Sequence, residues 1–441
     1  MFKKLLFLFI IFALVISCKK ATTRPSMSDV GTPPSEEGIP DIPDITPPDS
    51  EEDYYIKAND TEDTIKSKIQ KYYEKYNMHV ALVDDTKENI EANKTIEKLN
   101  SIINEDIYYE GVFLDLSKTD MTEIADSSFT KNKNLSSIKL PDTLTTIGNS
   151  AFANAEKLSA INFPTLLESI GTSAFSLCVS LVEIDLKYTK IKTISENSFD
   201  GCSKLEKAVL PDGILVIGNA AFNNCLLLKI INFPDTLTEI NVDAFKKCEN
   251  LVEVNLQSTK ITIIYEHTFN SCSKLESVYL PNNLSEIKNS AFAYCYSLKE
   301  IDFPESLTII GPFSFTECGF ERLILKEGLV TIDNFVFYKC SYLKQISLPS
   351  TLTKIGTFTF TGCTSLIDIE YNGDNPATVQ ATDIFKSYAG AEGSTPNALY
   401  LPNVDDPASI QPPSQDPNPW INFLGYDWTG KINYKQFMPN E

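Results

Sequence analysis

Apolar and polar positions between Leu114 and Tyr371 follow one short phrase written repeatedly. It is cleanest in AFANAEKLSAINFPTLLESIG, AFNNCLLLKIINFPDTLTEIN and AFAYCYSLKEIDFPESLTIIG. In the copy at residues 152–171, Leu158, Ile161 and Phe163 alternate with polar positions, which predicts a short strand with its apolar side turned inward. Pro164 has no N–H to give to a ladder and ends that strand. Leu166 or Leu167 and Ile170 then return the chain along the opposite side, and Gly171 opens the turn into the next copy. A phenylalanine marks each copy: Phe129, Phe152, Phe175, Phe199, Phe222, Phe245, Phe269, Phe292, Phe315, Phe337 and Phe360, spaced 22 to 24 residues apart. A unit of that size cannot bury its own apolar face, so the copies must stack, which predicts a repeat solenoid. Twelve rungs at the strand spacing would extend roughly 55 Å, with equivalent residues about 4.8 Å apart.

A slower period lies over this one. Every third coil lacks the Phe-Pro pair and reads DLSKTDMTEI, DLKYTKIKTI or NLQSTKITII, beginning at Asp115, Asp185 and Asn255, each 70 residues after the last. Triplication of a three-rung block explains the pattern, which breaks after Phe315, where one step shortens to 22 residues.

The ends differ from the body. Residues 61–113 contain two helical patterns, Ile65, Ile69, Tyr72 and Tyr76 in the first and Ile90, Ile96, Leu99 and Ile103 in the second, around a strand-like MHVALVDD. This predicts a small helical cap over the first rung, with His79 a structural histidine lacking a second ligand nearby. Residues 372–441 leave the repeat and gather Trp420, Phe423, Tyr426 and Trp428, which suits a seal over the last rung; an aromatic platform for carbohydrate is the alternative.

Upstream, Met1 to Lys4 carries two lysines and Leu5 to Ile16 is an unbroken apolar run of twelve, too short to span a bilayer but fitting an export-signal core. The run leads into Ser17-Cys18, which resembles a relaxed bacterial lipobox. The resemblance implies cleavage before Cys18 and a lipid on its sulfur, so residues 1–18 form a lipoprotein signal; a plain signal peptide with a chance cysteine is the alternative. Residues 19–60 are rich in proline and acid, with few large apolar groups, and predict an extended tether to the membrane.

The chain of 441 residues carries a formal net charge of −21, which repels phosphate backbones and makes nucleic acid an unsuitable partner. Its two histidines, His79 and His267, leave little material for acid–base or metal chemistry. No GxSxG, HExxH or Walker loop is present, so no catalytic residue, metal site or cofactor is assigned. The acidic pairs Glu183/Asp185 and Glu300/Asp302 lack the glycine-punctuated loop of a calcium site. Nine cysteines (Cys178, Cys202, Cys225, Cys248, Cys272, Cys295, Cys318, Cys340 and Cys363) each follow a marker phenylalanine by three residues. Stacking would hold their Cβ atoms near 4.8 Å apart, beyond the roughly 3.5–4.5 Å of a disulfide, which predicts a column of buried structural thiols, with metal or redox work and disulfides as the alternatives.

The phrase AFxxCxxLxxIxFPxxLxxIG resembles the BspA-like, treponemal-type leucine-rich repeat family over residues 110–371. The resemblance implies a leucine-rich-repeat arc of 11–12 rungs, an α/β solenoid with a parallel concave sheet over residues 114–371. It also implies a bacterial surface protein that binds proteins and catalyses nothing. On each strand the two positions flanking the middle aliphatic residue face outward, beginning with Phe113 and Asp115. Four such positions are apolar: Val209, Ile230, Tyr279 and Ile324. With the charged Glu183, Asp185, Glu300, Asp302 and Arg322 they form the candidate binding face for a protein ligand, although strand propensity alone also explains Val, Ile and Tyr. The expected function is therefore a cell-surface, lipid-anchored adhesin of the outer envelope that binds host or neighbouring-cell proteins, with a structural scaffold or spacer as the alternative.

Overall fold

The computed structural model describes residues 52–92, 94–404 and 418–435. The apolar leader, Cys18 and the tether as far as residue 51 lie outside these residues. Twelve coils stack through two rows of parallel strands. The longer row runs from Val112–Asp115 through Glu183–Asp185 and Lys207–Val209 to Asp368–Tyr371. The shorter row, two residues per coil, runs from Glu123–Ile124 to Gln380–Ala381 on the return side. Registers are in step, so Glu183 stands opposite Lys207 and Lys207 opposite Ile230, as a fixed repeat demands.

Between the two rows the core is a set of columns. Every marker phenylalanine is fully buried. Neighbouring rings stack at 5.1 to 6.0 Å with interplanar angles of 1 to 16°, slightly wider than the strand spacing because the rings are offset. Burial of each ring is worth about 1.5–3 kcal/mol, so the column is a large part of what holds adjacent coils together. The stack gains one more ring than the repeat predicts, since Phe385 of the C-terminal cap lies on Phe360 at 5.6 Å.

The 70-residue period is visible in the hydrogen bonding. In the coils without Phe-Pro, the Asp115, Asp185 and Asn255 side chains accept from the backbone N–H two residues on. Buried Thr119, Thr189 and Thr259 donate to the carbonyls of Leu116, Leu186 and Leu256. In the coils that end a block, Phe163, Phe233 and Phe303 set their edges against the next coil's marker ring at 5.6 to 5.8 Å. The Asn162 and Asn232 side chains replace a backbone ladder step there, each bonding both the N–H and the C=O of a leucine one coil earlier. The long-strand row is interrupted after each of these coils, following Ala160–Ile161, Ile230–Ile231 and Glu300–Ile301.

The turn carrying the marker phenylalanine has an unusual backbone. Residues two before and two after it have positive φ in every coil, from Ser127 and Lys131 to Phe358 and Gly362. This left-handed conformation aims the N–H along the stacking axis: Ser150 donates to Thr172, Phe152 to Ala174 and Asn154 to Ser176. Each left-handed non-glycine residue costs about 1–2 kcal/mol, which the repeated inter-coil hydrogen bonds offset.

Both ends are closed. Helix α1 (Glu62–Tyr76) is capped by Thr61, whose hydroxyl accepts from the Thr64 N–H, and buries Ile65, Ile69 and Tyr72. The second predicted helical pattern is divided into α2 (Lys87–Ala92) and α3 (Thr95–Ile103), with Lys94 left-handed at φ 53° between them. Asn134 of the first rung donates its amide to the carbonyls of Ile103 and Glu105, satisfying helix-end acceptors that would otherwise be buried alone. Two expectations are corrected at this end. The segment read as tether to residue 60 is folded from Glu52 on, as a 3-10 turn (Glu52–Tyr54) and a strand (Tyr55–Ile56) that pairs with Val80–Val83 and adds to the long-strand sheet. Phe113 and Asp115, read as outward-facing, are buried, because Phe113 joins Tyr54, Tyr55, Tyr72, Val80 and Leu82 in a second small core on that face. At the other end Ala398–Tyr400 and Ile432–Asn433 extend the sheet. Trp420 and Trp428 are buried, the latter donating from Nε1 to the Phe423 carbonyl at 2.7 Å, so these tryptophans pack and offer no open platform.

Candidate functional site

Two features carry the residues singled out by sequence. The cysteine column is internal. All nine thiols are free and buried, and each donates to the carbonyl of the previous coil's marker phenylalanine at 3.1 to 3.3 Å. Burial pushes Cys178 and Cys340 up to about 12 and raises the other seven well above the ordinary thiol range. A protonated, enclosed thiol is neither a nucleophile nor a metal ligand. At the ends of this position Asn132 and then Ala155 precede the first cysteine, with Asn132 bonding Asn100 of α3, and Ser394 of the C-terminal cap follows the last and donates to the Phe360 and Cys363 carbonyls.

The outer surface of the long strands carries ion pairs and exposed apolar side chains along its whole length. Toward the N-terminus charges are paired. Lys207 Nζ lies 2.5 Å from Glu183, whose side chain is only 7% exposed, and Lys229 pairs with Glu206 at 3.0 Å. Asp185 turns to the Lys187 N–H. Toward the C-terminus Tyr279 (46% exposed) and Ile324 (52%) stand among the exposed Glu300 and Asp302, the latter held by Lys326 at 2.5 Å. Arg322 is exposed and borders a shallow depression with Gln345, Ser347, Asp368 and Glu370, where Ser347 donates to Glu370 at 2.7 Å. Ile230 is the most exposed strand aliphatic at 60%, opposite Lys207 in register, whereas Val209 is half-buried and pairs with Asp185. The four apolar positions therefore do not merge into one patch; they are separate anchors spread over the sheet.

Sequence patterning missed a third feature. In the last three full coils the left-handed residue before the marker is phenylalanine: Phe313, Phe335 and Phe358, at φ 56 to 58°. The same position holds Ser127, Ser150, Ser173, Asn197, Ala220, Asp243, His267 and Ser290 in earlier coils. Phe313 stacks on Phe335 at 4.7 Å and Phe335 on Phe358 at 5.2 Å, while Tyr338 and Tyr388 close in from the side at 5.7 and 5.0 Å from Phe335. None of the five is fully buried, and Phe313 and Tyr388 are 39% and 46% exposed. The signal available in sequence was GPFSF, DNFVF and TFTF, a second phenylalanine two residues before the marker.

Among the described residues no three or more His, Cys, Asp or Glu are placed to hold a metal ion, and no helix is long and apolar enough to cross a membrane.

The repeat body matches the family profile described as BspA type leucine rich repeat region, in six copies over residues 122–252, 192–319 and 262–387, together more than half of the chain. No curated protein matches the chain. Similar solved structures include a leucine-rich repeat protein from Bacteroides ovatus, 22% identical, covering 72% of this chain and 88% of that one with a TM-score of 0.46. The leucine-rich repeat protein of T. pallidum is 27% identical over 43% of this chain and 79% of that one, with a TM-score of 0.33. The pneumococcal vaccine antigen PcpA is 20% identical over 74% and 77%, with a TM-score of 0.44.

Proposed function

We propose that this chain, which belongs to the BspA type leucine-rich repeat family, is a lipid-anchored protein of the bacterial cell surface that binds protein ligands through its long-strand face. The observation that carries the reading is that Ile230, Tyr279 and Ile324 stand about half or more exposed on strands whose inward residues pack on the core. Strand propensity accounts for Ile and Tyr as residue types, and their standing in water inside a polar, charged rim is also the make-up of a protein-binding surface. Export and anchoring rest on the apolar run Leu5–Ile16 and on Cys18. Adhesion to host or neighbouring-cell proteins is the role in which a surface tether and a binding face are both used.

Two measurements test this. Protease shaving of intact cells, immunoblotted for the repeat body against a periplasmic control, should remove the signal; full protection would contradict surface exposure and favour a scaffold within the envelope. Chemical crosslinking on intact cells should capture a protein partner with the native chain and lose it with Ile230, Tyr279 and Ile324 all changed to serine. Equal capture by both would remove the strand face from the proposal.

A further inference from the structure

The aromatic column at the turn is separate from the strand face and raises its own question. Phe313, Phe335 and Phe358 occupy a backbone conformation that bulky residues rarely adopt, at a position that eight preceding coils fill with small, polar or charged side chains. The coil geometry therefore does not require phenylalanine there. The rings lie parallel along the stacking axis, at 5° and 24° to one another, and consume each other's faces. What they present outward is a ribbon of ring edges, which suits close packing against another apolar surface and not the face-on stacking by which aromatic side chains hold sugars.

The ribbon is bordered by ion pairs. Lys339 lies 3.5 Å from Glu317 and over the Tyr338 ring; Lys354 lies 3.5 Å from Asp333; Lys386 lies 2.6 Å from Asp383. These three cations are each matched by an acid, and the exposed Glu392 next to Ala391 is a further carboxylate there, so the rim is close to neutral on a chain whose formal net charge is −21. Two copies of such a chain repel over most of their surfaces. Here they can approach with little uncompensated charge opposed, and a two-fold arrangement allows lysines of one rim to meet carboxylates of the identical rim. A basic partner would gain nothing from a neutral rim and would be drawn to the acidic remainder instead.

We propose that the ribbon formed by Phe313, Phe335 and Phe358 with Tyr338 and Tyr388 is a self-association face, at which two copies of this chain pack turn to turn. The binding face of the long strands lies on another side of each coil and stays free, so the pair would present two ligand-binding sheets. The proposal is independent of what those sheets bind.

The test is sedimentation velocity on the purified full-length chain, beside the double variant Phe335→Ser/Phe358→Ser and, as a control on the strand face, Ile324→Ser. Serine occupies the equivalent position in four other coils, so the double variant should fold, with a circular-dichroism melt matching the native chain. The expected result is a concentration-dependent dimer for the native chain and for Ile324→Ser, with a dissociation constant raised at least about tenfold by the double change. A native chain that stays monomeric up to about 100 µM overturns the proposal and leaves the ribbon to a different protein. So does a double variant that associates as the native chain does, since a surface other than the ribbon would then be the cause. Dissociation by Ile324→Ser to the same degree would move the contact to the sheet and equally overturn it.

Discussion

Two columns of side chains run through the same turn, two residues apart, and they obey opposite rules. The marker column is phenylalanine in eleven coils and fully buried in all of them. The column before it has one backbone conformation throughout, φ 50 to 60°, yet holds serine, asparagine, alanine, aspartate, histidine and phenylalanine. Identical backbone with varied residue means that the fold sets the conformation there and leaves the side chain free. Identical residue means that packing has left no choice. Periodicity is therefore informative about structure, while departures from it, such as the three consecutive phenylalanines, are where information about binding accumulates.

The comparison is broken most sharply by changing one residue in each column. Phe222→Ala in the marker column removes a ring stacked on both sides at 5.4 Å and should cost about 3–5 kcal/mol in urea denaturation. Phe335→Ser should change stability by less than about 1 kcal/mol, because the lost ring contacts are balanced by removing a bulky residue from a left-handed site. Similar losses from both would mean that the outer column is part of the core.

Next in size is the cysteine column. Cys272→Ala deletes a small apolar group and leaves the Phe245 carbonyl without its thiol donor, now 3.3 Å away, for a loss of about 1–2 kcal/mol. In the native protein the nine thiols of the repeat should resist a thiol-specific reagent at pH 8 and react together on denaturation, since burial holds their proton affinity far above that pH. Fast labelling of any one of them under native conditions would contradict the enclosed column.

Much of this was legible before the structure. The rung count, the buried phenylalanines, the free thiols and the 70-residue block all follow from spacing, because a repeat stacks equivalent atoms on one another and one copy predicts the rest. Spacing could not show what fills the ends. Asn132, two coils before the first cysteine, and Ser394, after the last, tie the two caps to the repeat with hydrogen bonds to residues 32 and 31 positions distant, and no local pattern announces them. The burial of Phe113 has the same origin: its strand reads like every other, and only the covering by Tyr54, Tyr55 and Tyr72 of the cap changes its environment. On the strand face the apolar positions were found, but their isolation from one another depends on which neighbours form ion pairs, a property of side-chain geometry.

Those ion pairs allow a smaller test. Lys207→Ala removes the only cation within ion-pair distance of Glu183 among the described residues and leaves a nearly enclosed carboxylate to find water. The cost should fall near the upper end for a surface pair, about 1 kcal/mol, and shrink in high salt. Lys229→Ala, whose partner Glu206 is well exposed, should cost less. Equal effects would mean that the enclosure of Glu183 has no energetic consequence.

The smallest expected effect contrasts the cap with the repeat body. His79 is stacked on Tyr73 at 4.3 Å and meets the edge of Tyr108 at 5.1 Å, and its Nδ1 has no hydrogen-bond partner. Burial pushes its proton affinity below the ordinary histidine value, with Glu110 pulling weakly the other way. A depressed folded-state pKa means that the unfolded chain binds the proton more readily. Stability is then fully present above the unfolded value near 6.5 and falls as the pH drops from there toward the lower folded value. Hydrogen exchange should therefore quicken in α1 and in the strand Val80–Val83 as the pH is lowered through that window, once the intrinsic pH dependence is divided out, while amides of the marker-phenylalanine turns, which have no histidine beside them before His267, stay unchanged. His79→Phe should abolish the difference, because the ring keeps its stacking partners and loses the titrating nitrogen. If the cap and the body respond alike in both proteins, acid acts on the carboxylates spread through the chain and the two regions melt as one unit.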